Sequence, residues 1–276
     1  MQAIKTVVIT GANKGIGFGI LENLIQKQAY RVIMACRSIE LAQKSRTQLI
    51  EKYNLSQDRI DTIELDISNS DSIDKFIKEF TTRFHQADIL INNAAVAVKS
   101  DDFNLEIVQF TFKPNFYGTI ELTEKFLPLL TQNGKVITVG SSAGKTKYLK
   151  SDDLIKRFKD PNITREDVFK LAEEFQKHVS DNTYEKNGWP SWGYGISKLL
   201  INTYVRTLAQ NAEVKNKNLQ VYTCCPGWVK TDMAGDEAEL TIDQGALTPV
   251  YLVELPHEVN PDYQGQFFYL QKVEEL

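Results

Sequence analysis

Tyr194 and Lys198 stand four residues apart in Tyr194-Gly195-Ile196-Ser197-Lys198, a spacing that sets both on one face of a helix. A free tyrosine, with a pKa of about 10, holds its proton too tightly for good acid–base work near neutrality, and a neighbouring lysine cation would stabilise the phenolate and lower that value. Alone the pair is a weak signal, because Tyr-x3-Lys arises by chance in many helices. Ser141, in Gly140-Ser141-Ser142-Ala143-Gly144, follows an apolar run that reads as a strand. Strand C-terminal ends are where open α/β sheets bind ligands, and a hydroxyl there can donate to a carbonyl oxygen. Ser142 reads better as a turn-bonding serine. Asn115 falls inside a helical stretch, in Pro114-Asn115-Phe116-Tyr117-Gly118. Asn is mildly unfavourable mid-helix, so either a polar task or a solvent-facing position accounts for it.

A second group of residues could hold phosphate. Thr10-Gly11-Ala12-Asn13-Lys14-Gly15-Ile16-Gly17 joins an apolar run to a helical one. Glycines let a backbone approach a pyrophosphate closely, and the helix N-terminus beyond offers free N–H groups and a positive dipole. The spacing is Gly-x3-Gly-x-Gly. After the second apolar run comes Cys36-Arg37-Ser38, where an Asp or Glu would accept from a ribose 2′-hydroxyl. Arg37 with Lys14 instead supplies positive charge suited to a 2′-phosphate, which favours NADP over NAD; the alternative is that both are solvated surface charges.

The elements that must position these groups alternate along the chain. Strands are predicted at 5–10, 31–35, 60–65, 88–92, 135–140, 219–225 and 265–270. Helices are predicted at 15–28, 38–53, 70–85, 103–131 and 193–213. This βαβ rhythm predicts an α/β fold: one doubly wound, Rossmann-type parallel sheet with helices on both faces, spanning residues 1–276 as a single domain. Residues 88–92 and 135–139 are nearly all apolar, as a sheet covered on both faces requires. Residues 145–190 break the rhythm with charged helical stretches at 151–159 and 164–180. Ser151-Asp152-Asp153 and Thr164-Arg165-Glu166-Asp167 look like helix starts, with an acceptor side chain ahead of an acidic first turn. The segment is too short and polar for a core of its own, so it reads as a helical insertion ahead of Tyr194. Its apolar stripe, Val168, Leu171, Phe175 and Val179, suits lying on the outer face of helices 103–131 and 193–213, which it would cover. A monomer is expected.

Composition excludes several classes. With 276 residues, 42% hydrophobic and 25% charged, the chain is neither disordered nor a membrane bundle. A net charge of −4 offers nothing to nucleic acid or anionic lipid. No run of 18 apolar residues exists, and the apolar run after Met1 is too short for a signal-peptide core. Three cysteines, two of them the adjacent Cys224 and Cys225, fit a reducing compartment, so the cytoplasm is the expected location and the sequons at Asn54 and Asn162 would be idle. His85, His178 and His257 are scattered, form no metal-ligating pattern and read as surface residues, so no metal is expected.

Taken together, these motifs resemble the short-chain dehydrogenase/reductase family over the whole chain and in order. Gly11, Gly15 and Gly17, Asp66, Asn92-Asn93-Ala94, Pro226-Gly227 and Thr231 match, as does the tetrad Asn115, Ser141, Tyr194 and Lys198. Ala95 departs from the usual glycine. Asn13-Lys14-Gly15-Ile16-Gly17, Gly188-Trp189-Pro190-Ser191 and Cys224-Cys225-Pro226-Gly227-Trp228-Val229-Lys230-Thr231 are similar to the NADPH-dependent carbonyl reductases. The resemblance implies hydride transfer from NADPH to the carbonyl carbon of ketones, aldehydes or quinones. It makes Tyr194 the proton donor, Ser141 the partner of the carbonyl oxygen and Lys198 the ribose ligand that tunes Tyr194. Asn115 would hold a water of a proton relay. The cofactor would be bound by Gly11, Asn13, Lys14, Gly15, Ile16, Gly17, Arg37, Asp66, Ile67, Asn92, Tyr194, Lys198, Pro226, Gly227, Val229 and Thr231. Ser141 and Trp228 would meet the substrate. A non-catalytic NADP-binding sensor and an alcohol dehydrogenase running in the oxidative direction are the alternatives.

Overall fold

The computed structural model describes residues 4–100, 102–256 and 261–276, so His257 lies outside the described residues. Along the chain run β1 (Lys5–Thr10), α1 (Gly15–Ile25), β2 (Tyr30–Cys36), α2 (Ile39–Tyr53), β3 (Ile60–Glu64), α3 (Ser70–Phe84) and β4 (Ala87–Asn92). Next come α4 (Leu105–Phe112), α5 (Thr119–Phe126), β5 (Leu130–Val139), α6 (Asp152–Lys159), α7 (Arg165–Ser180) and α8 (Gly193–Leu208). The chain closes with α9 (Ala212–Asn216), β6 (Gln220–Cys225), α10 (Ile242–Glu254), β7 (Phe267–Tyr269) and β8 (Lys272–Glu274).

Successive side chains of β1 leave for opposite sides. Val8 joins a core with Phe76, Phe112 and Leu200, whereas Val7 and Ile9 join one with Ile20, Leu24 and Ala246. Both faces of the sheet are therefore covered by helices, which is what parallel strands of unbroken apolar sequence need. The sheet order is β3-β2-β1-β4-β5-β6-β7-β8. All neighbours pair in parallel except β7 and β8: β7 is the strand expected at 265–270, whereas β8, which pairs with it antiparallel at the edge, was not expected. The order reverses between β1 and β4, and a crevice at such a switch point is where open sheets bind ligands.

The predicted helix 103–131 is three elements. After α4, Lys113–Gly118 forms a wide π-type turn before α5 begins, and β5 already starts at Leu130. Pro114 has no N–H to give the helical ladder, and its own carbonyl accepts from the Thr119 hydroxyl at 2.9 Å. Gly118 is required here by close approach: a Cβ on it would lie 1.6 Å from the Ile67 carbonyl oxygen. Helix α10 was also not expected. Its start is marked by a capping box of Thr241 and Gln244, a signal readable in the sequence, but Pro249 in its interior interrupts the helical pattern.

The insertion follows expectation closely. Ser151 caps α6, and Thr164 with Asp167 makes a full capping box at α7. Val168, Leu171, Phe175 and Val179 are buried, and α7 packs on α4 and α8, so its apolar face joins the main core instead of forming one of its own. Phe175 stacks on Phe112 of α4 at 5.7 Å. Trp189 is fully buried between Phe158 and Phe175, which fixes the chain just ahead of α8. His178 is not a free surface residue: its Nδ1 accepts the Trp189 indole N–H at 3.0 Å. His85 is exposed.

Candidate active site

Helix α8 presents Tyr194 and Lys198 toward the C-terminal end of β5. Lys198 is 5% exposed and its Nζ donates to the Val139 carbonyl at 2.9 Å. Burial pulls its ammonium down to about 8, opposed by the nearby sulfurs of Cys225 and Cys224. The Tyr194 phenol is pushed up to about 12, again mainly by burial, against a hydrogen bond from Ser141 that acts in the lowering direction. In this arrangement the net displacement of the Tyr194 phenol is upward, opposite in direction to the lowering expected from Lys198. The lysine lies 5.8 Å from the tyrosine ring centroid, is aimed at a backbone carbonyl and is itself desolvated, so the cost of burying a phenolate prevails.

Ser141 is extended and caps the short 3₁₀ turn 142–144, its Oγ accepting from Ala143 N at 3.1 Å. That leaves its own proton to donate, with the Tyr194 phenol nearby. Ser142 makes up part of this turn. Asn202, one turn beyond Lys198 on α8, donates to the carbonyls of both Ser141 and Gly144. Sequence reasoning passed over it because no motif includes it; its place at i+4 from Lys198 was the available signal.

Asn115 is 2% exposed in the π-type turn, and its side chain is committed. Oδ1 accepts from Val96 N at 2.8 Å, and Nδ2 donates to Val96 O at 2.8 Å and to Ser197 Oγ at 3.2 Å. It thus ties the loop after β4 to α8, and its amide does not stand ready to hold a relay water. The neighbouring Ser197 hydroxyl donates to Tyr194 O at 2.7 Å, so this chain of contacts ends on the tyrosine backbone.

The glycine turn sits across the crevice. Gly11 and Gly15 have φ of +66° and +57°, in the left-handed region where glycine is favoured. A Cβ on Gly17 would lie 2.4 Å from Asn93 Nδ2. Asn93 donates to Thr10 O at 2.8 Å and so braces the turn. The Asn92 side chain is buried and donates to Thr123 Oγ1 of α5 at 2.8 Å, which leaves its backbone as the part that can meet a ligand. Ala94 packs beside Gly11, while Ala95 is only partly buried and its methyl is tolerated. Asp66 Oδ1 accepts from the Ser68 N–H and hydroxyl at the end of β3, with Ile67 buried next to it. Asn13 and Ile16 are partly buried in the turn itself.

Lys14 does not stand free beside Arg37. It pairs with Asp232 at 2.7 Å, joining the glycine turn to the loop after β6, with both partners well exposed. Arg37 is exposed beyond β2. In the loop after β6, Gly227 has φ of +86°, Thr231 turns its methyl toward Gly15, and the buried Val229 side chain packs against Gly245 of α10. Val229 can therefore meet a ligand only through its backbone. Trp228 is 52% exposed. Two further exposed aromatics flank Tyr194. Trp192 lies 6.4 Å from the Tyr194 ring and meets Tyr148 edge to face at 5.3 Å. No His/Cys/Asp/Glu cluster suited to a metal occurs among the described residues. No helix among them is long and apolar enough to cross a membrane.

A glycine turn at the switch point of a doubly wound sheet, facing a Ser–Tyr–Lys constellation, defines a nucleotide-dependent oxidoreductase fold. The short chain dehydrogenase family profile matches residues 5–151, and the chain belongs to that family. It is 35% identical to carbonyl reductase [NADPH] 1 of Mus musculus, over 97% of this chain and 96% of that one. It is equally identical to carbonyl reductase [NADPH] 3 of Rattus norvegicus, over 91% of each. Salutaridine reductase from Papaver somniferum superposes with a TM-score of 0.84 at 27% identity, covering 96% of this chain and 99% of that one.

Proposed function

We propose that this protein reduces carbonyl compounds (ketones, aldehydes and quinones) to alcohols with NADPH. The observation that carries the reading is the placement of Tyr194 and Lys198 on one face of α8, with the Lys198 Nζ bonded at the C-terminal end of β5 just ahead of Ser141 and 5.8 Å from the Tyr194 ring. Held up to about 12, Tyr194 stays protonated at neutral pH, which is the form a reduction consumes. Ser141 donates to the carbonyl oxygen while Tyr194 delivers its proton to the same atom. Lys198 stabilises the phenolate that remains, and solvent restores the proton by way of Lys198.

The residues present fit the cofactor. Gly11, Gly15 and Gly17 leave a cradle that side chains would fill or strain, and Lys14 and Arg37 are exposed cations at its adenosine end. Backbone groups of Asn13, Ile16, Ile67, Val229, Pro226 and Gly227, with Asp66 and Thr231, would line it. When bound, NADPH supplies the hydride. Trp228, Trp192 and Tyr148 supply apolar surface for the substrate beside Tyr194. The chain acts as one domain and as a monomer of 31.4 kDa in the cytoplasm, with α7 covering the faces of α4 and α8 that would otherwise be open to a partner.

The test is a carbonyl panel followed by NADPH absorbance, run across pH. Protonated Lys198 stabilises the phenolate product of proton donation, so reduction should be fastest below pH 8. It should fall about tenfold per unit as pH rises through about 8 and Lys198 loses its proton. Oxidation of NADPH by no carbonyl in the panel would overturn the reading.

A further inference from the structure

Helix α8 carries a polar side chain that the tetrad does not include. Asn202 is fully buried one turn after Lys198, and every part of its amide is bonded. Its Nδ2 donates to Ser141 O at 3.2 Å and to Gly144 O at 3.1 Å; its Oδ1 accepts from Thr223 Oγ1 of β6 at 2.8 Å. Two carbonyls can only accept and the hydroxyl donates, so the amide has one orientation that satisfies all three. A buried amide is costly unless all its groups are paired, so the arrangement admits little movement.

The surroundings leave no slack. A Cβ on Gly140 would lie 2.0 Å from Asn202 Oδ1 and 2.6 Å from Thr223 Oγ1. A Cβ on Gly144 would lie 2.4 Å from the Lys198 carbonyl carbon. The glycines on either side of Ser141 therefore let the turn press directly onto α8 and β6. Lys198 and Asn202 together hold three carbonyls of this strand end, those of Val139, Ser141 and Gly144.

We infer that Asn202, locked by Thr223, is a positioning residue for the reaction: it fixes the backbone of the 140–144 turn and so aims the Ser141 hydroxyl. It acts through Ser141 and touches no reacting atom. The inference rests on the role proposed for Ser141 above. Two turns of α8 thus set proton donor, cation and, through Asn202, the hydroxyl that meets the substrate oxygen. An error of an ångström in such a group costs on the order of a hundredfold in rate.

The test is a double-mutant cycle. Asn202→Ala should lower kcat roughly tenfold to a hundredfold with NADPH affinity unchanged. In a Ser141→Ala background the same change should add almost nothing. Thr223→Val, close to isosteric, should reproduce part of the loss, and Thr223→Ser, which keeps the hydroxyl, should restore it. An equal loss in both backgrounds, or an unaltered kcat, overturns the inference. If Asn202→Ala does not fold, the Thr223→Val and Ser141→Ala pair gives the same cycle. Hydrogen exchange at the Ala143 and Gly144 amides gives a readout independent of turnover. Faster exchange in Asn202→Ala or Thr223→Val supports the clamp and unchanged exchange overturns it, even for a wild type that reduces no carbonyl and so refutes only the functional reading.

Discussion

The floor of the site and its rim are built by opposite means. On the floor, Ser141, Tyr194, Lys198 and Asn202 are buried or partly buried, and backbone carbonyls, amides or buried hydroxyls hold their polar atoms. On the rim, Trp192, Tyr148 and Trp228 are 37%, 39% and 52% exposed, and Lys14 is held only by an exposed ion pair. Burial shifts the floor's proton affinities strongly, raising Tyr194 and lowering Lys198, because desolvation acts on each charged form. Rim groups stand in water and can be exchanged at little cost in stability. On the function proposed above, the floor would govern whether a reaction occurs, and the rim which cofactor and which substrate take part.

That division can be broken most decisively at Tyr194. Tyr194→Phe removes only the proton donor, so kcat should fall roughly 10²–10⁴-fold while NADPH binding, followed by fluorescence, stays near the wild-type value. A residual rate within tenfold of wild type would place the chemistry elsewhere. A smaller effect belongs to the cofactor rim. Arg37→Asp should cost NADPH roughly 10–150-fold in affinity and move the preference toward NADH. Asp232→Asn frees Lys14 from its partner and should tighten NADPH by about 2–5-fold, the scale of an exposed ion pair. Equal wild-type affinities for NADH and NADPH would sink the assignment of both cations.

The smallest effect is expected at the aromatic rim. Trp192→Ser should raise KM for aryl ketones by roughly 2–10-fold relative to aliphatic ketones of similar size, with kcat little changed. A common loss for both classes would show that the indole supports the Tyr194 ring and not the substrate. The structure gives that outcome a concrete meaning, since a Cβ on Gly195 would lie 2.4 Å from the Trp192 ring.

Features set by short stretches of chain were legible beforehand. The glycine turn, the Tyr194–Lys198 face, the capped starts of α6 and α7 and the alternation of strands and helices each depend on residues within a few positions of one another. Local rules of spacing and backbone conformation are enough to read them. The apolar stripe of α7 even indicated what it would cover.

Other features were settled only by folding. Pro114 and Gly118 stand in the sequence, yet the wide turn they permit depends on the Ile67 carbonyl that Gly118 must admit. Asn92 and Asn93 are neighbours of one type, and the pleat of β4 sends the first into α5 and leaves the second to brace the glycine turn. Lys14 was readable as a phosphate-binding cation, but Asp232, its partner, comes from a loop 218 residues away. The direction of the Tyr194 shift depends on how much protein surrounds the phenol, a quantity no local pattern carries. By itself the sequence determined the alternation of the central strands and helices, the family and the candidate reacting groups, because these follow from neighbours along the chain. Only the tertiary structure decided the protonation, aim and company of those groups, because desolvation and hydrogen bonding are exerted by residues that folding brings together.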